Sequence, residues 1–189
     1  MRSLSSLGEV HWRRRLNMSD RHSIFFKEWL LYESSLTKKL QQYAKGDFRV
    51  ELLSQNIQAV SFSERQALGL TVRKYAFVRE VALWVKGSVW VYARTIIPLN
   101  TLKGRLRILK NLGNRPLGEE LFANPNMRRE KILFGRIASQ DLPFTLRQYQ
   151  PLGGRRTLFK INNKPLLVCE FFLDNIYNSA KYCKNHINI

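Results

Sequence analysis

Two long runs of strand-forming residues, 71–85 and 89–97, constrain this chain more than any other feature. Both are rich in Val, Ile, Tyr, Phe and Trp, which suit a pleated, half-buried surface. Only Lys86-Gly87-Ser88 separates them, so they read as a β-hairpin that Pro98 ends. Leu158–Ile161 and Leu166–Leu173 read as a second hairpin around Asn162-Asn163-Lys164-Pro165. Strands joined by tight turns pair antiparallel, and no glycine-rich phosphate loop follows any of them, which disfavours a parallel βαβ fold.

The rest of the chain fits around these hairpins. Ile24, Phe25, Trp29, Leu30, Leu36, Leu40 and Tyr43 recur at helical spacing, predicting one or two helices over 24–44 with Ser34-Ser35 as an internal N-cap. Phe48–Leu53 alternates as a strand, with 57–62 as its expected partner. Ser63 is the expected start of a short helix that Gly69 stops. Asn100 or Thr101 is expected to cap a helix carrying Leu102, Leu106, Leu109 and Leu112, closed by Gly113. A further helix starts near Pro116, and Lys131–Ile137 reads as a strand. The fold class predicted is α+β, a single domain with an antiparallel sheet flanked by helices. We place that domain at 23–175, after a basic, poorly ordered leader (1–22) and before a polar, basic tail (176–189).

Charge narrows the function. Lys and Arg number 32 against 14 Asp and Glu, a formal net charge of +18, which calls for an anionic partner. Nucleic acid is not the expected one, because the aromatics concentrate in the strands instead of interleaving with basic runs. Attraction to an anionic membrane surface is compatible with the charge. The N-terminus lacks the apolar core of a secretory signal, and no apolar stretch approaches the ~20 residues of a membrane span. Cys169 and Cys183 make no disulfide framework and no zinc-binding spacing. A cytoplasmic monomer is the expectation.

Glu170 is the most informative residue. It is the only charge in Leu166–Leu173, with Val168 and Phe172 on its own face. A carboxylate there is either ion-paired in the core or placed for a ligand. Arg79 poses the same question on the face Tyr75, Phe77, Arg79, Val81, Leu83. It is a candidate for bidentate carboxylate binding or for an ion pair with Glu170. Arg94 falls opposite Glu80 with a three-residue turn and opposite Arg79 with a two-residue turn. The first makes it structural and the second makes it part of an anion site. Arg115-Pro116-Leu117-Gly118 is a helix start suited to an anion. His11, His22 and His186 lie in the leader and tail, which argues against a His-dependent triad or a metal site. Arg13–Arg15, the acid-free 103–115 segment and Arg155-Arg156 read as solvated faces.

Five blocks stand in the order found in chorismate lyases, the chorismate–pyruvate lyases of ubiquinone biosynthesis. They are Trp29-Leu-Leu-Tyr-Glu-Ser-Ser-Leu-Thr-Lys-Lys39, Val78-Arg-Glu-Val81, Ala93-Arg-Thr-Ile-Ile-Pro98, Arg115-Pro-Leu-Gly118 with Leu121-Phe122, and Lys164-Pro-Leu-Leu-Val-Cys-Glu-Phe-Phe-Leu173. Over residues 24–175 the chain resembles that family. The resemblance implies a single-domain antiparallel sheet and cleavage of chorismate to 4-hydroxybenzoate and pyruvate without metal or organic cofactor. It implies that Arg79 binds the ring carboxylate with help from the backbone N–H groups of Leu36 and Leu117, and that Glu170 meets the hydroxyl end. Leu36 departs from the Met usual in the family. Arg94 is a candidate for assisting the departing pyruvate carboxylate. A non-catalytic ligand-binding domain of the same architecture is the alternative.

Overall fold

The computed structural model describes residues 10–15, 24–70 and 75–176. Among these, strands β1 (Phe48–Ala59), β2 (Tyr75–Val85), β3 (Ser88–Pro98), β4 (Met127–Gly135), β5 (Pro151–Ile161) and β6 (Lys164–Leu173) form one antiparallel sheet. Their order is β1-β2-β3-β6-β5-β4. The two predicted hairpins are β2–β3 and β5–β6, and the β3–β6 pairing joins them at the middle of the sheet. Around the sheet lie α1 (Ile24–Leu30), α2 (Leu36–Ala44), α3 (Phe62–Leu68), α4 (Leu117–Phe122) and a 3₁₀ helix, Gly104–Asn111.

Directly paired residues in a sheet point to the same side, so the register defines two faces. Val81, Ala93, Glu170 and Arg155 form one row across four strands. Glu80, Arg94, Cys169 and Arg156 form the adjacent row on the opposite face. The first face packs against α1, α2, the 3₁₀ helix and α4, through residues such as Leu36, Leu40, Trp90, Leu109 and Leu121. The second is covered by α3 and the 137–149 segment, with Leu68, Ile137, Leu142 and Leu146 packed on Tyr92 and Phe171.

A single extra residue decides which face Arg94 occupies. Lys86 and Gly87 both take left-handed backbone angles (φ 49 and 74), as a two-residue hairpin turn requires. That turn alone would set Arg94 opposite Arg79. However, Trp84 pairs with Val89 and Leu83 with Val91, leaving Trp90 as a bulge that shifts the register by one. Arg94 therefore pairs with Glu80.

Several local expectations change. β1 runs on past residue 57 and, apart from a bulge at Leu53, pairs along its length with β2, so 57–62 is not a return strand. The N-cap of α3 is Ser61 instead of Ser63, because Glu64 at the third helical position returns its carboxylate to the Ser61 N–H (2.9 Å). The expected 102–112 helix narrows to the 3₁₀ turn, and β4 starts at Met127 and ends at Gly135. Part of the leader is held to the sheet. Arg13 and Phe134 exchange two backbone hydrogen bonds of 2.8 Å, and Trp12 packs on Phe171. Gly135 permits this close approach, since a Cβ there would meet Val10 Cγ1 at 2.7 Å. The tail also begins packed, with Ile176 buried. Residues 1–9, 16–23, 71–74 and 177–189, including His22, Cys183 and His186, lie outside the described residues. Among the described residues no helix is long and apolar enough to cross a membrane.

Candidate active site

The first face of the sheet floors a cleft of about 570 Å³, counting its open mouth. Arg79, Val81, Ala93, Thr95, Val168 and Glu170 line its floor, and Ser35, Leu36, Thr37 and the start of α4 line its roof. Gly118 lets the two helix starts meet, because a Cβ there would stand 3.1 Å from Ser35 Oγ and 3.2 Å from Thr37 Oγ1. Gln41 Nε2 donates to Glu119 Oε1 (3.1 Å), tying α2 to α4.

Arg79 is 2% exposed. Its Nη2 donates to the carbonyls of Gly113 (2.9 Å) and Arg115 (3.0 Å), and its Nε–H is buried without a partner. Among the described residues no carboxylate reaches it, so the expected alternative of an Arg79–Glu170 ion pair is not what the chain builds. Burial of the unpaired guanidinium brings its pKa down to about 10. It is a cation with an unused donor beside a cleft.

Glu170 pairs instead with Arg155. The two are direct partners across β5–β6, and Arg155 Nε donates to Glu170 Oε2 at 2.5 Å. Arg155 Nη1 also donates to the carbonyls of Leu30 and Tyr32, linking the sheet to the end of α1. The reading of Arg155-Arg156 as a solvated pair is thus corrected: the residues are 2% and 8% exposed. β5 is an interior strand covered on both faces, so its consecutive arginines enter opposite sides. The signal was present in the second hairpin. With Asn162-Asn163 as the turn, counting back from Lys164–Ile161 brings Glu170 to Arg155.

Leu36 and Leu117 are the first residues of α2 and α4 and both line the cleft. A first-turn N–H has no partner within its own helix, so both groups can donate elsewhere. The pattern missed Arg129 on β4, which also lines the cleft. Its Nη2 donates to Ser34 O (3.3 Å), while its guanidinium lies over the Phe122 and Phe159 rings.

Arg94 does not belong to this cleft, which corrects its candidacy for the pyruvate carboxylate. On the opposite face, and 1% exposed, it donates through Nε to Glu64 Oε1 (2.8 Å) and through Nη1 to Glu80 Oε1 (2.9 Å). Tyr92 Oη and Ser54 Oγ complete the network on Glu80, at 2.5 Å each. Burial alone would raise the Glu80 pKa, but the bonds from Ser54 and Tyr92 and the Arg94 charge hold it below the usual value. Among the described residues no group of His, Cys, Asp or Glu side chains is arranged to hold a metal ion.

The chorismate lyase family model matches residues 6–182. The chain belongs to the chorismate lyase family. Relatives named probable chorismate pyruvate-lyase bear this out. The one from Marinobacter nauticus is 38% identical over 151 residues, covering 80% of this chain and 77% of its own. The one from Photobacterium profundum is 35% identical over 182 residues, 94% of each. Among solved structures, the effector domain of PhnF from Mycobacterium smegmatis superposes with a TM-score of 0.52 at 11% identity, over 75% of this chain and 90% of that one. At that identity the likeness concerns the fold alone, and it agrees with the α+β sheet of chorismate lyases.

Proposed function

We propose that this enzyme cleaves chorismate to 4-hydroxybenzoate and pyruvate in the cleft on the first face of the sheet, supplying ubiquinone biosynthesis. The observation that carries this reading is Arg79, a buried guanidinium whose protein partners are two carbonyls and whose Nε–H is unspent. An unpaired buried charge is costly unless a ligand completes it. A ring carboxylate does so, with the Leu36 and Leu117 N–H groups as further donors.

Sheet geometry sets the scale. Arg79 and Glu170 are two strands apart across the sheet and two residues apart along it, roughly 12 Å between Cα atoms from standard strand spacings. Side chains reaching inward from that separation bracket a six-membered ring with substituents at opposite ends. Arg79 holds the carboxylate on C1. Glu170, whose Oε2 is occupied by Arg155, turns Oε1 to the hydroxyl on C4 and from there accepts the C4 proton.

The bond changes are few. The C3–O bond to the enolpyruvyl group breaks, the C4 proton leaves, and the ring becomes aromatic as 4-hydroxybenzoate. The departing enolpyruvate takes one proton and becomes pyruvate. Aromatisation makes the step strongly downhill, so the protein mainly orients the substrate and stabilises charge on the departing oxygen. The deciding experiment is turnover of chorismate by the purified protein, followed as 4-hydroxybenzoate and pyruvate formed in equal amounts. Binding of 4-hydroxybenzoate without turnover would instead favour a non-catalytic ligand-binding domain.

A further inference from the structure

Chorismate carries two carboxylates, and Arg79 accounts for only the one on the ring. The ionisable side chains lining the cleft are Arg79, Arg129, Arg155 and Glu170. Glu170 is bound to Arg155 and neutralises it. That leaves Arg79 and Arg129, two positive charges for a substrate with two negative ones.

Arg129 has the features of a group awaiting an anion. Its Nε and Nη1 are buried with no hydrogen-bond partner, although the guanidinium is fixed in position. The Ser34 carbonyl holds Nη2, and the Phe122 and Phe159 rings lie 5.4 and 5.2 Å from the guanidinium carbon. Among the described residues no carboxylate forms an ion pair with it. Burial, aided by the charge of Arg155, lowers its pKa, while Glu170 and Glu33 oppose the shift without touching it. A half-buried guanidinium with unspent N–H donors is suited to receive a carboxylate. It stands on β4, on the far side of β5 and β6 from Arg79, so the two cations approach a ligand from different ends of the cleft.

We infer that Arg129 binds the carboxylate of the enolpyruvyl side chain and that of the pyruvate formed from it. This assignment rests on the chorismate reading of the cleft and deepens it. It gives the side chain an anchor separate from the ring, so that the C3–O bond is held while the leaving group gathers charge.

The experiment compares Arg129→Gln with the wild type using two ligands and the substrate. 4-Hydroxybenzoate carries the ring carboxylate alone. 3-(Carboxymethoxy)-4-hydroxybenzoate adds a second carboxylate where chorismate has its side chain. In Arg129→Gln we expect the second ligand to bind about 10²-fold more weakly and chorismate kcat/KM to fall by about the same factor, the usual scale for truncating one partner of a buried charge pair. The Kd of 4-hydroxybenzoate should stay within about two-fold, which also shows that the variant cleft is folded. Equal weakening of both ligands, or unchanged chorismate turnover, overturns the assignment of Arg129 and leaves the chorismate reading standing. A wild-type protein that never turns over chorismate overturns the reading itself, and this assignment with it.

Discussion

Arg79 and Glu170, two of the four ionisable side chains that line the cleft, make opposite demands. Arg79 has no counter-ion of its own, so its substitution should be felt in binding more than in folding. Arg79→Ala should weaken binding of 4-hydroxybenzoate and raise chorismate KM by an amount equivalent to about 2–5 kcal/mol. Calorimetry and steady-state kinetics measure this directly, and a folded variant with full kcat/KM would show that Arg79 only braces the Gly113 and Arg115 carbonyls. Glu170 is both paired and placed at the cleft. Glu170→Gln keeps the volume and one acceptor but weakens the bond that holds Arg155, so it should cost roughly 1.5–3 kcal/mol of stability. Activity should drop by about two orders of magnitude, as for other positioned acid–base groups. Of the two readings that the sequence leaves open for Glu170, an unpaired carboxylate placed for a ligand could be lost with stability intact. Arg155 reverses that expectation, and thermal melts of the variant test it. A normal melting temperature with normal turnover would remove Glu170 from both roles.

At the scale of strands, the two faces of the sheet divide the work. The opposite face carries the Glu64–Arg94–Glu80–Tyr92 network, which is structural. Arg94→Met would strand two buried carboxylates and should destabilise the protein by about 3–5 kcal/mol, while 4-hydroxybenzoate affinity per folded molecule stays unchanged. Loss of affinity with stability preserved would return Arg94 to the site. The pH sign follows from Glu80. Its folded pKa lies below its unfolded value, so it contributes stability above the usual carboxylate range and loses it as pH falls through the folded pKa. Urea midpoints should therefore converge between wild type and Glu80→Gln as the medium is acidified. The two hairpins and the placement of Arg79 and Glu170 within apolar faces were legible from alternation, because period-two patterning is a local property. The role of Arg94 was not, because it hangs on one bulged residue, Trp90, that no turn motif encodes. Arg155 needed the second hairpin extended three residues further back than its apolar stretch suggests. Arg129 sits on an exposed-looking strand, and its value depends on α4 and the α1–α2 turn folding over it, which is a tertiary fact.

The whole molecule carries far more positive charge than the cleft uses. The proposed site uses two unneutralised arginines, yet the chain has a formal net charge of +18. Exposed charge of this size acts at a distance, raising the encounter rate of a dianion without adding a contact to the bound state. Salt should therefore separate encounter from chemistry. At physiological ionic strength screening shortens to ~8 Å, so chorismate kcat/KM should fall a few-fold as salt is raised from low values through that range. Under saturating substrate kcat should hold, because the buried cations of the cleft are screened much less than the surface. A kcat that falls in step with kcat/KM would mean that salt reaches the cleft and that surface steering is not the cause. Tight, salt-sensitive binding of RNA by a protein that does not turn over chorismate would assign the excess charge, and the function with it, to nucleic acid.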